Sequence, residues 1–175
     1  MSSMFGRTRR TASLPAGVTL ARGERLLASD VTADGSPIAA TNHRLVLPTP
    51  DGLASDGLTS VGWAAIERAT FDQDTEQLVV TETALVGSRP RRYRLGMAGA
   101  LTLLDVIREQ VKASVIVSRF VAIDGARGVR VSGRRRPDTG AIGWNVTVDA
   151  GLDVDNPDIR QNIDAVVAMV RAELP

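Results

Sequence analysis

Short apolar runs separated by turn sequences recur along this chain, and this pattern constrains its fold more than any other feature. Turn sequences such as Asp34-Gly35-Ser36-Pro37 and Asp72-Gln73-Asp74-Thr75 divide the first half into short segments. Segments of this kind, with alternating or continuous apolar character, predict β-strands. The strands predicted in the first half cover residues 24–31, 37–40, 44–47, 60–63, 66–71, 77–83 and 91–95.

The pattern then changes to a helical period. Leu101, Leu104, Ile107 and Val111 recur at three- and four-residue spacing, which places them on one face of a helix. We expect this helix to begin near residue 97 or 98. Its end stays open between residues 113 and 120, because the β-branched run at 115–117 suits either a last helical turn or the start of a strand.

A second helix is predicted at the C-terminus. Asp155 or Asn156 can cap it, and Pro157 suits its first position. Its apolar stripe consists of Ile159, Ile163, Val166, Val167 and Val170. Between the two helices, strands are predicted over residues 120–123, 128–132 and 142–148. The order strands, helix, strands, helix predicts an α+β fold.

Composition excludes several kinds of site. The chain has no cysteine and one histidine, His43, so disulfides, thiol nucleophiles, cysteine-ligated zinc and multi-histidine metal sites are excluded. We expect no cofactor. No apolar run approaches the roughly 18 residues that a membrane span needs. Because no continuous apolar segment follows the arginines at positions 7, 9 and 10, residues 1–20 are predicted to be a disordered basic tail on a cytoplasmic protein.

The run Thr41-Asn42-His43-Arg44-Leu45 joins a turn to an apolar strand, and Trp63 and Ile66 mark the segments that follow. This order is similar to that of the bacterial PH-like (GRAM-like) domains, in which a T-x-x-R-L hairpin precedes a strand marked by Trp or Ile. The resemblance covers residues 24–113. It implies an antiparallel β-barrel of seven strands capped by a helix, used as a docking module.

The same resemblance bears on the ligand. PH domains that bind phosphoinositides carry basic residues in and beside the first hairpin loop. Here that loop, residues 31–36, holds Asp34 and no basic residue. We therefore expect protein binding or intramolecular packing rather than phosphate binding at this loop.

The predicted domain order is a tail (1–20), a PH-like barrel with its C-terminal helix (21–113) and a ββα-type C-terminal subdomain (114–175). This subdomain is expected to hold a three-stranded antiparallel sheet with a closing helix, packed on the barrel. Its element order resembles that of the double-stranded-RNA-binding domain. That family places lysines at the start of its last helix, whereas this chain has Asn156-Pro157-Asp158 there, which repels phosphate.

Charge is segregated along the chain. Residues 85–136 hold 12 basic and 3 acidic residues, whereas residues 137–175 hold 2 basic and 7 acidic residues. The candidate binding residues in the basic block are Arg89, Arg91, Arg92, Arg94, Arg134, Arg135 and Arg136.

These arginines have three interpretations. Guanidinium groups suit phosphate and carboxylate, which favours an anion-binding face. Charged strand edges also discourage aggregation, and the basic block can pair internally with the acidic C-terminal segment. Strand alternation places Arg92 and Arg94 on one face and Arg91 on the other, so all four arginines at 89–94 cannot line one patch.

The remaining chemically interesting residues favour structural roles. Sequence supplies His43 with no nucleophile and no orienting carboxylate, so a role in the turn is expected. Trp63 and Trp144 lie in alternating strand patterns, which favours core packing. The acids at 149, 153 and 155 lack the glycine and glutamate of a calcium loop and are expected in caps and loops.

These observations predict a non-enzymatic protein. Its expected role is protein–protein interaction with an unknown protein partner. The alternative is nucleic-acid or anion binding through the arginine-rich residues 89–136.

Overall fold

Two antiparallel sheets make up the N-terminal part of the structure, a computed structural model that describes residues 13–49, 57–84, 89–97 and 101–173. The first sheet contains β1 (Leu26–Val31), β2 (Pro37–Thr41), β3 (Arg44–Pro48) and β4 (Leu58–Gly62). A 3₁₀ turn, Trp63–Ala65, leads to the second sheet of β5 (Ile66–Asp72), β6 (Gln77–Glu82) and β7 (Arg92–Gly96). Within each sheet, strands that follow one another in the chain are hydrogen-bonded neighbours.

One hydrophobic core joins both sheets to the helix α1 (Leu101–Ser114). α1 contributes Leu104, Ile107 and Val111, as its periodicity predicts. The predicted helix start near residue 97 or 98 is tested only at Met97. Met97 is still extended, with its N–H donating to Glu76 O at 2.8 Å, and residues 98–100 lie outside the described residues.

The end of α1 is sharp. The helix stops at Ser114, and β8 (Val115–Asp124) begins at the next residue. The run at 115–117 therefore belongs to a strand, in line with the preference of β-branched side chains for extended backbone. Val117 is buried in a second hydrophobic core, separate from that of α1.

The second core lies between a three-stranded antiparallel sheet and the C-terminal helix. The sheet has the order β10-β9-β8, with β9 spanning Arg127–Arg135 and β10 spanning Ile142–Val148. Helix α2 (Pro157–Ala172) covers one face of this sheet. Asn156 caps the helix by accepting from the Asp158 N–H at 2.9 Å.

These elements confirm the α+β class and the predicted C-terminal sheet and helix. Within the described residues none of the three sheets closes into a barrel, so the barrel stays a prediction. The predicted disordered tail does not extend to residues 13–20. Val18 is buried against Ala39 and Val46 of the first sheet, and residues 1–12 lie outside the described residues.

Candidate functional site

The turn between β2 and β3 is held by an ion pair between a buried carboxylate and a partly exposed arginine. The Arg44 guanidinium donates from Nε to Glu24 Oε1 at 2.8 Å and from Nη2 to Glu24 Oε2 at 3.2 Å. The Glu24 side chain is only 1% exposed. The Thr41 hydroxyl donates to Glu24 Oε1 at 2.7 Å and accepts from the Arg44 N–H at 3.0 Å. The T-x-x-R motif thus closes a turn around a buried carboxylate.

The side chains next to this pair complete the network. Arg44 also donates to Ser60 Oγ at 3.0 Å and to Thr19 O at 2.8 Å. The indole Nε1 of Trp63 donates to Thr41 O at 3.0 Å. These bonds tie the turn to β4, to the segment before β1 and to the first core. Arg44 therefore has a structural role, since four of its five guanidinium N–H groups donate within the protein.

The network sets the ionisation of Glu24. Burial acts to raise the pKa of Glu24, but hydrogen bonds from Arg44, the Ala21 N–H and Thr41, with the charge of Arg44, lower it from 4.5 to about 2. A depressed carboxyl pKa stabilises the fold above the unfolded value, and this stabilisation is lost as the pH falls toward the folded value. We expect Glu24 to contribute about 3 kcal/mol that is present above pH 4.5 and declines from there toward pH 2.

Urea unfolding at several pH values between 6 and 3 checks this prediction. The chain with Glu24→Gln has no titrating group at this position, so its stability is expected to be lower at pH 6 and to change less with pH. An equally steep decline in both proteins would assign the acid sensitivity to other carboxyl groups.

A cleft of about 610 Å³ lies beside the turn, between the first sheet and the β9–β10 hairpin. Its volume is in the range typical of ligand sites. Glu24, His43 and Arg44 line one side, and Arg136, Trp144 and Asn145 line the other. The lone histidine and one predicted arginine are thus brought to the same place by elements far apart in the chain.

Two strand edges border this cleft. Arg136 N donates to Ala141 O, and Asp149 N donates to Gly128 O. Because hydrogen-bonded pairs alternate along an antiparallel ladder, Gly143 and Asn145 of β10 are then hydrogen-bonded to β9. The backbone N–H and C=O of Trp144 therefore point away from β9. On the other side, Ser60 belongs to β4, the last strand of its sheet in the described structure.

Trp144 also links the cleft to the second core. Its side chain is half-buried and packs in that core, and the Arg171 guanidinium of α2 lies 5.7 Å from its ring centroid. Trp63, by contrast, is fully buried in the first core. Both tryptophans have the packing role expected from the sequence, and Trp144 is additionally among the residues that line the cleft.

The three arginines at 134–136 do not form one surface. Arg134 is buried, and its Nη1 donates to Ile66 O at 2.7 Å, which ties β9 to β5. Burial lowers the pKa of Arg134, and the negative charge of Glu67 opposes this. Arg135 is exposed. Arg136 pairs with Asp138 at 2.9 Å beside the cleft, so the cluster predicted from adjacency divides into three environments.

The arginines before and within β7 divide in the same way. Arg92 and Arg94 are exposed, whereas Tyr93 and Leu95 between them are buried. Hydrogen bonding to Tyr93 and the charge of Glu82 raise the pKa of Arg91. The Arg91 side chain therefore lies on the same side of the strand as Tyr93. Arg89, also predicted, is exposed ahead of the strand.

Sequence reasoning missed three contributors to these surfaces. Glu24 gives no signal in the sequence, because its partner Arg44 lies 20 residues away. Asn145 is one of the polar residues that alternate with apolar residues in β10. This alternation predicts that Asn145 faces solvent, but it does not predict a cleft. Arg68 lies opposite Thr81, and Thr81 lies opposite Arg92, a relation that appears only once the strand register is known.

The described residues do not include a group of three or more His, Asp or Glu side chains arranged to hold a metal ion. Neither helix of the described chain combines the length and apolar character that crossing a membrane requires. Comparisons with protein-family models, with curated proteins and with solved structures found no match to this chain.

Proposed function

We propose that this protein is a non-catalytic interaction module that binds a polypeptide segment of a protein partner in the cleft beside Arg44. One observation carries the proposal. The cleft is bordered by β4 and β10, and each of these strands has one side without a partner strand in the described structure. An extended polypeptide can hydrogen-bond to such an edge, and side chains around the edge then give specificity.

The cleft supplies what such a segment needs. Trp144 lines the cleft, and its backbone offers a donor and an acceptor on the side away from β9. His43 and Asn145 are half-buried polar side chains at the rim. Aromatic anchors surrounded by a few polar groups are typical of interfaces that bind peptides.

The PH-like resemblance of residues 24–113 fits this proposal. A four-stranded antiparallel sheet, a three-stranded antiparallel sheet and a helix follow one another there, which is the element order that the resemblance implies. We propose that this part is a PH-like scaffold. In this proposal the T-x-x-R turn shapes one wall of the cleft, and the C-terminal sheet adds the other.

Site-specific photocrosslinking tests the proposed function. A benzophenone amino acid replaces His43 or Asn145 at the cleft, and in a third protein it replaces Gln161, which is exposed on α2. In a lysate of the native cell, both cleft positions are expected to crosslink to one shared polypeptide, and position 161 is not. Identical crosslinks from position 161, or none from the cleft, would refute the proposal.

A further inference from the structure

β7 is an edge strand with an open backbone. It pairs with β6 alone in the described structure. Glu82 N donates to Arg91 O, and Met97 N donates to Glu76 O, so the odd-numbered residues of this segment bond to β6. The backbone N–H and C=O of Arg92 and Arg94 therefore face the open side.

The open stretch has a defined end. Gly96 O accepts from the Ala33 N–H at 2.8 Å, so the loop between β1 and β2 occupies the edge beyond Arg94. A strand that pairs with β7 therefore has the backbone of Arg92 and Arg94 available, and it must turn away at Gly96. This limits the site to a short extended segment.

The exposed face at this edge is positively charged. Arg92 and Arg94 point to the face opposite the buried Tyr93 and Leu95. Arg68 lies on the same face, because Arg68 and Arg92 are both paired with Thr81 of β6. Its backbone is about 10 Å from that of Arg92, since neighbouring strands lie about 4.8 Å apart. None of the three arginines makes an ion pair with another described residue.

We infer that the open edge of β7 is a second docking site, separate from the cleft, for an extended acidic polypeptide segment. Such a segment adds as a strand through the backbone groups of Arg92 and Arg94. Its side chains on the exposed face then lie opposite the two guanidinium groups, where carboxylates form favourable cross-strand pairs. Acidic residues at alternate positions satisfy this geometry, because alternate side chains of a strand share a face.

A polypeptide fits this surface better than a nucleic acid does. The residues between the arginines are Thr70, Val79 and the buried Thr81, and none has a ring on which a base can stack. Binding of single-stranded nucleic acid combines positive charge with aromatic stacking. An open strand edge, in contrast, is matched by the alternating N–H and C=O groups of a peptide.

Fluorescence anisotropy with a synthetic nine-residue peptide tests the inference. The peptide has Glu at alternate positions and Thr or Val between them. We expect it to bind the whole chain, and the double variant Arg92→Gln/Arg94→Gln to bind it about fivefold to tenfold more weakly, since each exposed ion pair contributes modestly. The matched control, Arg108→Gln/Arg130→Gln, removes two exposed arginines elsewhere and is expected to change the affinity less than twofold.

Three further probes decide the mode of binding. A peptide of the same composition with its Glu residues consecutive, and a peptide with methylated backbone nitrogens, are both expected to bind at least about fivefold more weakly. Equal losses in the two double variants would reduce the effect to net charge and overturn the inference. So would an oligonucleotide that binds more tightly than the peptide and loses affinity in the Arg92 and Arg94 variant.

Discussion

Replacing Arg44 with alanine is expected to lower the free energy of unfolding by about 3–5 kcal/mol, because the change leaves a buried carboxylate without its partner. The Glu24 side chain is 1% exposed, whereas that of Arg44 is 32% exposed. The arginine thus shields the acid from water while its Nε and Nη2 bond to it. The same substitution also removes the bonds to Ser60 and Thr19.

The double variant Arg44→Ala/Glu24→Gln separates the ion pair from lost packing. A neutral amide costs less to bury than an unpaired carboxylate, so the double variant is expected to be more stable than Arg44→Ala alone. Urea unfolding at pH 7 measures both. Arg25→Ala is the matched control, since its exposed side chain makes no hydrogen bond or ion pair with another described residue and its loss is expected to cost less than about 0.5 kcal/mol. A loss below 1 kcal/mol in Arg44→Ala would contradict this account of the turn.

The turn network also connects stability to the proposed function. His43 lies between Thr41 and Arg44, and its N–H donates to Thr41 Oγ1 at 3.1 Å. The imidazole therefore reaches the cleft from a backbone that the Glu24–Arg44 pair holds in place. We expect variants at His43 to affect binding with little effect on stability, whereas variants at Arg44 affect both.

Local signals in the sequence predicted the elements well. Asn156 and Pro157 define the start of α2, because a cap and a fixed proline φ act within one turn of helix. The turn at 72–75 is likewise local, with Asp72 Oδ1 accepting from the Asp74 and Thr75 N–H groups. The start of β8 is not determined by the sequence, because the short β-branched run at 115–117 has no period that distinguishes a strand from the end of a helix.

The cleft and the β7 edge depend on how neighbouring strands are aligned, and the sequence alone does not determine this strand register. Arg134 and Arg135 are neighbours in the chain, yet one is buried against Ile66 and the other is exposed. Arg68 and Arg92 lie 24 positions apart in the sequence and share a face only because β6 aligns both strands. Strand alternation, a local signal, correctly separates Arg92 and Arg94 from Arg91, whereas adjacency in the chain does not show that Arg134 is buried or that Arg68 joins the face of Arg92.

Substituting Gly128 with alanine is expected to destabilise the protein by about 3 kcal/mol, at the upper end of the cost of overpacking. A Cβ at this position would lie 2.1 Å from Val121 O and 2.8 Å from Ala122 Cα. Both are backbone atoms of β8 and cannot rotate away. The N–H of Gly128 donates to Asp149 Oδ2 at 2.9 Å, and its C=O accepts from Asp149 N at 3.0 Å, so Gly128 is held on its other side as well.

Gly143→Ala in the neighbouring strand β10 is the matched control, and it is expected to act in the opposite direction. The nearest atom to a Cβ there is Arg134 O at 3.9 Å, an ordinary contact. Alanine in a strand interior loses less conformational freedom on folding than glycine, so Gly143→Ala is expected to raise the free energy of unfolding by about 0.5 kcal/mol. Urea unfolding followed by circular dichroism compares the two variants. Similar midpoints would show that β8 moves aside at little cost, because the same side chain would then be accommodated at both positions of one sheet.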